Sequence, residues 1–336
     1  MNDIIIDILN TVSPSGYEID MYQKVKHYLP NNWEVTIDNT GNIYCRTNAE
    51  QKSTLMIEAH YDEIGLMINH ITSAGYLFVR PIGSITPTLL HGCEMTVLSQ
   101  FGEIMAVAGH NPAAITGKQG EISDFKEIWF DVCGKKDECR IGDYVVYPHR
   151  ARIVSDKIIG AGIDNKASIA AMIICILSLD MIIPDDVSLC FCFSSKEEIH
   201  HKGIRNCIET IKPDIVISLD TTFAADVPGV SYTTIGDIGL GRGPALLYDP
   251  CCNRTLTQQI LDIAIGSNLS IQPYCNISPS MGLNVTKIDN VKTAAILLPC
   301  RNMHSSVEIC SLNDIYALVN LLQEIIIKSS SLILCK

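Results

Sequence analysis

Five apolar stretches of this 336-residue chain each end on side chains that readily bind divalent metal ions. The residues at or just beyond these ends are His60, Asp62, Asp164, Glu197, Glu198, Asp220 and His304. Two imidazoles and several carboxylates at the ends of buried strands are the donors that a two-metal hydrolytic site requires. Each residue alone has an ordinary explanation, such as capping a helix or a turn. Their coincidence in one chain therefore indicates a hydrolytic metal site.

Two pairs within this set suggest how the work is divided. Residues two apart on an extended strand point to the same side, so His60 can bind metal while the Asp62 carboxylate accepts a hydrogen bond from the other ring nitrogen. Glu197 and Glu198 are adjacent, and their negative charges repel one another. Separate roles resolve this conflict, because one carboxylate can bind a cation while the other moves a proton.

The hydrophobic pattern predicts alternating helices and strands after residue 160. Helices are predicted over 165–179, 202–211, 255–267 and 312–328, and strands over 187–194, 214–219 and 293–299, in addition to an earlier buried strand at 54–60. This alternation predicts an α/β fold with a mostly parallel sheet and helices on both faces. Ligands of such sheets bind beyond the carboxyl ends of the strands, which is where the candidate residues fall.

Residues 71–157 have a different pattern, with short β-rich runs between Gly, Pro and Asp turns, which is typical of a small barrel or sandwich. We therefore expect a catalytic domain formed by residues 1–70 and 158–336 and interrupted by an all-β insertion. The runs YLFVRPIG and IWFDVC carry more large apolar side chains than so small a module readily buries, which predicts a role in assembly. Before the insertion, SPSG at 13–16 separates two predicted helices, and Ser15 is the expected N-cap of the second.

The overall composition excludes several classes of function. A net charge of -12 without any cluster of Lys and Arg argues against nucleic acid and against an anionic membrane surface as partners. The longest apolar stretch, at 167–177, is too short to span a membrane. The 14 cysteines include no C-x-x-C pair, and several lie in apolar runs, as buried thiols do in a reducing compartment. We expect a cytoplasmic protein.

Nearly the whole chain resembles the M42 family of metallo-aminopeptidases, which includes the glutamyl and tetrahedral aminopeptidases. The stretches that carry the resemblance are SPSG at 13–16, HYDEIGLMINHI at 60–71, FVRPIG at 78–83, GAGIDNKAS at 160–168, EE at 197–198, DTTFAADVPG at 220–229, GLGRGP at 239–244 and MHSSVE at 303–308. Their order and spacing match almost from end to end.

This resemblance implies a role for each candidate residue. One metal ion would be bound by His60, Asp164 and Asp220, and a second by Asp164, Glu198 and His304. Glu197 would be the general base, and Asp62 would orient His60. The cofactors would be two divalent ions per subunit, either zinc or cobalt.

The same resemblance implies an aminopeptidase that removes N-terminal residues from short peptides. Two cations that share a carboxylate lower the pKa of a bridging water, and Glu197 would take its proton as the hydroxide attacks the peptide carbonyl. The β-rich insertion resembles the family's dimerisation domain. We therefore expect a homo-oligomer built from dimers, such as the dodecamers that members of the family form.

The chain departs from the family pattern in three places. Where the family commonly reads Gln-Glu-Glu-Val-Gly-x-Arg-Gly, this chain has His200 and His201 after the two glutamates. We interpret these histidines as an altered first helical turn in preference to extra metal ligands. At 281–284, Met-Gly-Leu-Asn replaces the frequent Gly-Thr-Asp-Ala, and at 111–113, Asn-Pro-Ala replaces Pro-Pro-His.

Two other functions are compatible with these residues. A related di-metal deacylase or carboxypeptidase would need a clamp for a different substrate terminus. A catalytically degenerate homologue, kept as an oligomeric scaffold, would account for the missing Asp at 281–284. It would not account for the retention of all five metal ligands together with Glu197.

Overall fold

The computed structural model describes residues 1–47, 53–109, 111, 124–179, 183–275, 288 and 290–334. Its α-helices are α1 (Asn2–Leu9), α2 (Ile19–Tyr28), α3 (Ile163–Ser178), α4 (Lys202–Ile211), α5 (Tyr232–Ile235), α6 (Arg254–Gly266), α7 (Leu312–Ile327) and α8 (Ser329–Leu334). The helices predicted at 165–179, 202–211, 255–267 and 312–328 are all present, with bounds close to those expected. No helix within the described ranges is long and apolar enough to cross a bilayer.

The β-strands form two separate sheets. They are β1 (Glu34–Ile37), β2 (Ile43–Arg46), β3 (Ser53–His60), β4 (Gly65–Ile71), β5 (Tyr76–Ile82), β6 (Glu94–Ser99), β7 (Gly102–Ala108), β8 (Phe130–Asp131), β9 (Tyr144–Val146), β10 (Arg152–Val154), β11 (Lys157–Gly160), β12 (Val187–Ser194), β13 (Ile215–Phe223), β14 (Ala245–Tyr248), β15 (Gln272–Cys275), β16 (Lys292–Arg301) and β17 (Glu308–Ser311).

The larger sheet is mixed, with a parallel centre and antiparallel edges. Its main order is β1-β2-β12-β3-β13-β16-β17-β11-β10, and β14 and β15 are attached beside β16. Strands β12, β3, β13 and β16 run parallel, whereas pairs such as β1–β2, β16–β17 and β10–β11 are antiparallel. The predicted mostly parallel sheet is therefore correct only for the centre. Strands joined by tight turns, such as β10 and β11, can pair only in the antiparallel sense.

Helices cover both faces of the parallel centre, as predicted. Alternate side chains of a strand point to opposite faces. Along β3, Leu55 and Ile57 pack in the core that includes α1, α3 and α7, whereas Met56 packs against α4. Helix α3 is buried along nearly its whole length, which agrees with a sequence that is apolar on all sides of the helix after its first turn.

The smaller sheet closes into a barrel with the order β4-β5-β8-β7-β6-β9. We propose that this barrel is the predicted insertion, with bounds that differ from the expected 71–157. Its first strand, β4, begins at Gly65 and its last, β9, ends at Val146, whereas β10 belongs to the larger sheet. The expectation that the run IWFDVC exposes its apolar side chains is wrong, because Ile128, Phe130 and Val132 are buried. Alternate residues of a barrel strand point into the barrel, which has its own core.

Ser15 does not cap the second helix, contrary to our expectation. Helix α2 begins at Ile19, with Glu18 at the N-cap position. The Ser15 hydroxyl instead donates to Oδ2 of Asp62 at 2.5 Å. Ser15 lies three residues before the N-cap of α2, and its hydroxyl makes a charge-assisted hydrogen bond to the carboxylate instead.

A buried ion network, formed by Glu63, Lys166 and His149, joins the barrel to the part of the chain that contains the larger sheet. Glu63 lies between β3 and β4, Lys166 lies in α3, and His149 follows β9. Glu63 Oε1 lies 2.8 Å from Nζ of Lys166, and its Oε2 lies 2.8 Å from Nε2 of His149. Burial favours the neutral carboxyl, but His149 and Lys166 outweigh it and lower the pKa of Glu63 to about 2. The carboxylate therefore links three segments that are distant in sequence.

Candidate metal centre

The candidate residues converge at the edge of the sheet where the parallel strands end. They come from β3, β13, the first turn of α3 and the segments that follow β3, β12 and β16; they are His60, Asp62, Asp164, Glu197, Glu198, Asp220 and His304. All except Asp62 line one cavity of about 910 Å³. Asp62 is fully buried beside them. The structure thus brings together every site residue that the sequence indicated.

His60, Asp164 and Asp220 form one set of donors. Nε2 of His60 lies 3.5 Å from Oδ1 of Asp164 and 3.4 Å from Oδ1 of Asp220. The donor atoms of the three residues all lie within 4.8 Å of one another, and all three side chains are buried. The Thr221 backbone N–H donates to Oδ1 of Asp220 at 2.8 Å and fixes that carboxylate.

Asp164, Glu198 and His304 form a second set, so Asp164 belongs to both. Nε2 of His304 lies 3.2 Å from Oδ2 of Asp164 and 3.5 Å from Oε1 of Glu198. The other oxygen of Asp164, Oδ1, is buried and makes no hydrogen bond. A buried carboxylate oxygen without a partner is costly unless a cation binds it. The donors therefore fit two divalent cations that share Asp164.

Both imidazoles present Nε2 to the centre because a main-chain carbonyl holds the other ring nitrogen. Nδ1 of His60 lies 3.1 Å from the carbonyl oxygen of Asp62, and Nδ1 of His304 lies 2.9 Å from that of Ser84. Such contacts fix the tautomer and the ring orientation of a metal-binding histidine. We expected the Asp62 carboxylate in this place, but its Oδ1 is 3.7 Å from Nδ1 of His60.

The Asp62 carboxylate holds the two glutamates instead. Its Oδ1 accepts the backbone N–H of Glu197 at 2.9 Å, and its Oδ2 accepts that of Glu198 at 3.2 Å. The Ser15 hydroxyl donates to Oδ2 as well. A buried acceptor with three donors fixes the position of the turn that carries both glutamates.

Glu308, which was not among the predicted site residues, positions both Asp164 and His304. Its Oε2 accepts the backbone N–H of Asp164 at 3.1 Å, and its Oε1 accepts that of His304 at 2.6 Å. The side chain is almost completely buried. Asn165 adds a further anchor, because its amide donates to the carbonyl of Leu219 at 2.8 Å. The MHSSVE motif contains Glu308, and an acid four residues after the proposed ligand His304 was the available signal.

The site concentrates negative charge in a buried place. Burial and the neighbouring carboxylates raise the pKa of Glu197, Glu198 and Asp220. Burial disfavours protonation of His304, but hydrogen bonds to Asp164 and Glu198 raise the pKa of its ring to about 11. Both effects follow from an excess of buried carboxylates over cationic groups, and a divalent cation relieves that excess.

His201, which was not among the predicted site residues, also reaches the site. Its Nδ1 lies 2.8 Å from Oε1 of Glu197, and its ring lines the same cavity. His201 is at the N-cap of α4, and both His200 and His201 have positive φ. The altered helical start that we expected is present, and it brings an imidazole onto a catalytic candidate. The departures at 281–284 and 112–113 lie outside the described residues.

Comparison with known proteins agrees with this fold. A family model for M42 glutamyl aminopeptidase matches residues 41–321. The lysyl aminopeptidase of Pyrococcus furiosus is 28% identical over 331 residues, covering 92% of this chain and 91% of that protein. The structure of the aminopeptidase APDkam598 from Desulfurococcus kamchatkensis has a TM-score of 0.90 at 25% identity, covering 99% of this chain and 96% of that chain. A PhTET1 structure, described as a dodecamer in the asymmetric unit, has a TM-score of 0.84 at 25% identity, covering 97% and 98%.

These matches extend over most of the chain, and the metal-compatible donors lie where the family resemblance implied them. The predictions of family membership and of peptide hydrolase activity are thereby confirmed. The chain belongs to the M42 glutamyl aminopeptidase family of metal-dependent peptide hydrolases.

Proposed function

We propose that this protein is a di-metal aminopeptidase that removes N-terminal residues from short peptides. The observation that carries the proposal is the pair of donor sets that share Asp164. His60 and Asp220 complete one set, and Glu198 and His304 complete the other. Imidazole and carboxylate donors suit zinc or cobalt, which are the two ions that we propose.

When bound, two such cations polarise a peptide carbonyl and acidify a nearby water. The protein must then move a proton, and Glu197 is placed to do so. Its Oε2 lies 3.9 Å from Nε2 of His60 and therefore faces the shared donor sets. In our proposal this oxygen takes a proton from the attacking water and returns it to the leaving amine. Burial raises the pKa of Glu197, which suits a group that must hold a proton between two steps.

The remaining side chains position these groups. Asp62 holds the backbone of the glutamate pair, and Glu308 holds the backbone of Asp164 and His304. Such outer contacts keep the donors in place while the substrate changes shape. The cavity also offers apolar wall, including Phe223 and Met303, against which a peptide side chain can pack.

We further propose that the protein assembles through its barrel into a dimer-based homo-oligomer. Phe101, Met105 and Ile141 of the barrel each expose more than half of their surface. The PhTET1 structure, described as a dodecamer, covers almost the whole of this chain. Light scattering at micromolar concentration should show a multimer, and Phe101→Asp combined with Met105→Asp should reduce the particle size without loss of bound metal. A monomeric unmutated protein would exclude the proposal.

We also propose a cytoplasmic location, in a reducing compartment. The cysteines of the described residues are free, and many of them are buried. Burial of cysteines such as Cys192 and Cys207 as small apolar side chains is typical of proteins from a reducing compartment. Fractionation of cells should recover the protein with cytoplasmic markers, and recovery with an exported fraction would contradict the proposal.

A substrate panel tests the activity. Aminoacyl-anilides and N-acyl amino acids should be assayed side by side, with zinc or cobalt added to each. We expect hydrolysis of the anilides only, because the proposed reaction requires a free N-terminus. Hydrolysis of the N-acyl amino acids would indicate a deacylase or carboxypeptidase. Inactivity on both sets with metal bound would indicate a degenerate homologue.

Substitution of the two adjacent glutamates tests their roles. Glu197→Gln should keep its metal content and lose at least two orders of magnitude in kcat, since general base catalysis contributes about 10²–10⁴-fold. Glu198→Gln should instead lose or weaken one metal ion. Elemental analysis of both variants, together with steady-state kinetics, measures the difference. Equal metal loss in the two variants would show that the roles are misassigned.

A further inference from the structure

His201 contacts the proposed general base directly. Its Nδ1 lies 2.8 Å from Oε1 of Glu197, and both side chains are largely buried at the wall of the cavity. The other oxygen of Glu197, Oε2, faces Nε2 of His60 at 3.9 Å. The two oxygens of this carboxylate therefore have different neighbours, with one at the imidazole and the other toward the donor sets.

The backbone that carries His201 adopts an unfavourable conformation. The φ angles of Lys196, His200 and His201 are 56°, 83° and 53°, respectively, in the left-handed region that favours glycine. Non-glycine residues in this region are strained, and such strain persists where the surrounding structure holds it, frequently at functional sites. The His201 backbone N–H donates to the carbonyl of Glu197 at 3.0 Å, which closes the turn and brings the ring back over the carboxylate.

We propose that His201 is a positioning residue for Glu197. Its Nδ1–H donates to Oε1 and fixes the rotation of the carboxylate, so that Oε2 is presented to the water from which it takes a proton. The inference rests on the proposed role of Glu197 as the base. The inference adds a second residue, His201, to the proposed proton transfer by Glu197. The family pattern has no fixed residue at this position, and we expected only an altered helical turn there.

Two substitutions of His201 test this inference. His201→Ala removes the hydrogen bond, whereas His201→Asn retains an N–H donor at nearly the position of Nδ1. His201→Ala should lower kcat by about 10-fold or more, because small displacements of a catalytic group are costly. KM should change less than about twofold, since His201 acts through Glu197 and not through ground-state binding. His201→Asn should recover most of the loss. Metal content by elemental analysis should be unchanged in both variants.

His200→Ala separates the hydrogen bond from the strain of the turn. This substitution alters the neighbouring strained residue and leaves the contact between His201 and Glu197 in place. We expect a clearly smaller loss of kcat than in His201→Ala. An equal loss, a failure of His201→Asn to recover activity, or a loss of metal in His201→Ala would overturn the inference, because each points to a general structural role.

A double substitution distinguishes failure of this inference from failure of the proposed function. If His201 acts only through Glu197, adding His201→Ala to Glu197→Gln should cause little further loss. Full activity of Glu197→Gln would refute the assignment of the base itself. Normal activity of His201→Ala, beside an inactive Glu197→Gln, would refute the positioning role alone.

Discussion

Replacing Glu63 by Gln should leave the ammonium group of Lys166 buried without the carboxylate that balances it. Lys166 is fully buried, and its Nζ lies 2.8 Å from Oε1 of Glu63. The pKa of Glu63, about 2 against an ordinary 4.5, corresponds to about 3 kcal/mol in favour of the charged carboxylate at neutral pH, at 1.36 kcal/mol per unit. Burial lowers the pKa of Lys166 and offsets part of this gain, so once Glu63 is replaced the loss comes mainly from the uncompensated ammonium group. Removal of one partner of a buried pair costs about 3–5 kcal/mol in other proteins, which agrees with this value.

Thermal unfolding followed by circular dichroism measures this cost. An unfolding entropy of about 2.1 cal/mol/K per residue converts 3–4 kcal/mol into a fall of about 5 °C in Tm for a chain of this length. Protein concentration must be held constant, because assembly makes Tm depend on it. Because the folded pKa of Glu63 is lowered, its contribution is present above about pH 4.5 and disappears as the pH falls toward 2. The difference between the variant and the unmutated protein should therefore shrink in acid.

Glu94→Gln is the matched control. Glu94 Oε2 lies 2.9 Å from the Arg150 guanidinium, a similar distance, but both side chains are more than half exposed. An exposed pair contributes about 0–1 kcal/mol, so Tm should fall by no more than about 1–2 °C. Equal falls in Tm for Glu63→Gln and Glu94→Gln would refute the reasoning. Adding Lys166→Met to Glu63→Gln should restore part of the stability, because it removes the uncompensated charge.

Three further predictions concern the metal centre. Asp164→Ala should lose more metal than the substitution of any other proposed ligand, because Asp164 belongs to both donor sets. For the unmutated protein, a content near one metal ion per chain by elemental analysis would contradict the two-ion proposal. Chelation should abolish activity and lower Tm, and zinc or cobalt should restore both, because a ligand that binds only the folded state stabilises it. Glu308→Gln should weaken metal affinity by about 10–100-fold, measured in competition with a chromophoric chelator. The reason is that an amide has only one acceptor oxygen for the two backbone N–H groups of Asp164 and His304. Unchanged affinity would show that these contacts do not position the ligands.

The sequence predicted the long central elements well and the edges poorly. Helix α4 agrees with its prediction residue for residue, and β12 does as well, because each shows a strong and uninterrupted hydrophobic pattern. Strands β14, β15 and β17, of four residues each, were not predicted. The antiparallel pairings of β11 with β17 and of β14 with β16 were also missed, because each depends on which distant strand covers a free edge.

The proposed ligands could be read from residue type and position, but their supporting contacts could not. His60, Asp164 and Asp220 each lie at the end or start of a predicted element, so the topology places them together. Glu308 and His201 act through contacts that arise only after folding. In particular, the ring of His201 reaches Glu197 because of a turn with positive φ, and residue type gives no indication of that turn.

The barrel contacts the larger sheet and the candidate metal centre at more places than the two points where the chain enters and leaves it. Its connection after β5 supplies the Ser84 carbonyl that holds Nδ1 of His304, and the segment after β9 supplies His149 to the Glu63 carboxylate. Exchanging or trimming this module therefore removes a contact that orients an imidazole of the candidate metal centre. If the barrel also carries the subunit interface, as we propose, the same module influences both assembly and the geometry of the candidate metal centre. A barrel transplanted from a relative should be compatible only if it brings a carbonyl to the position of Ser84 and a donor to the position of His149.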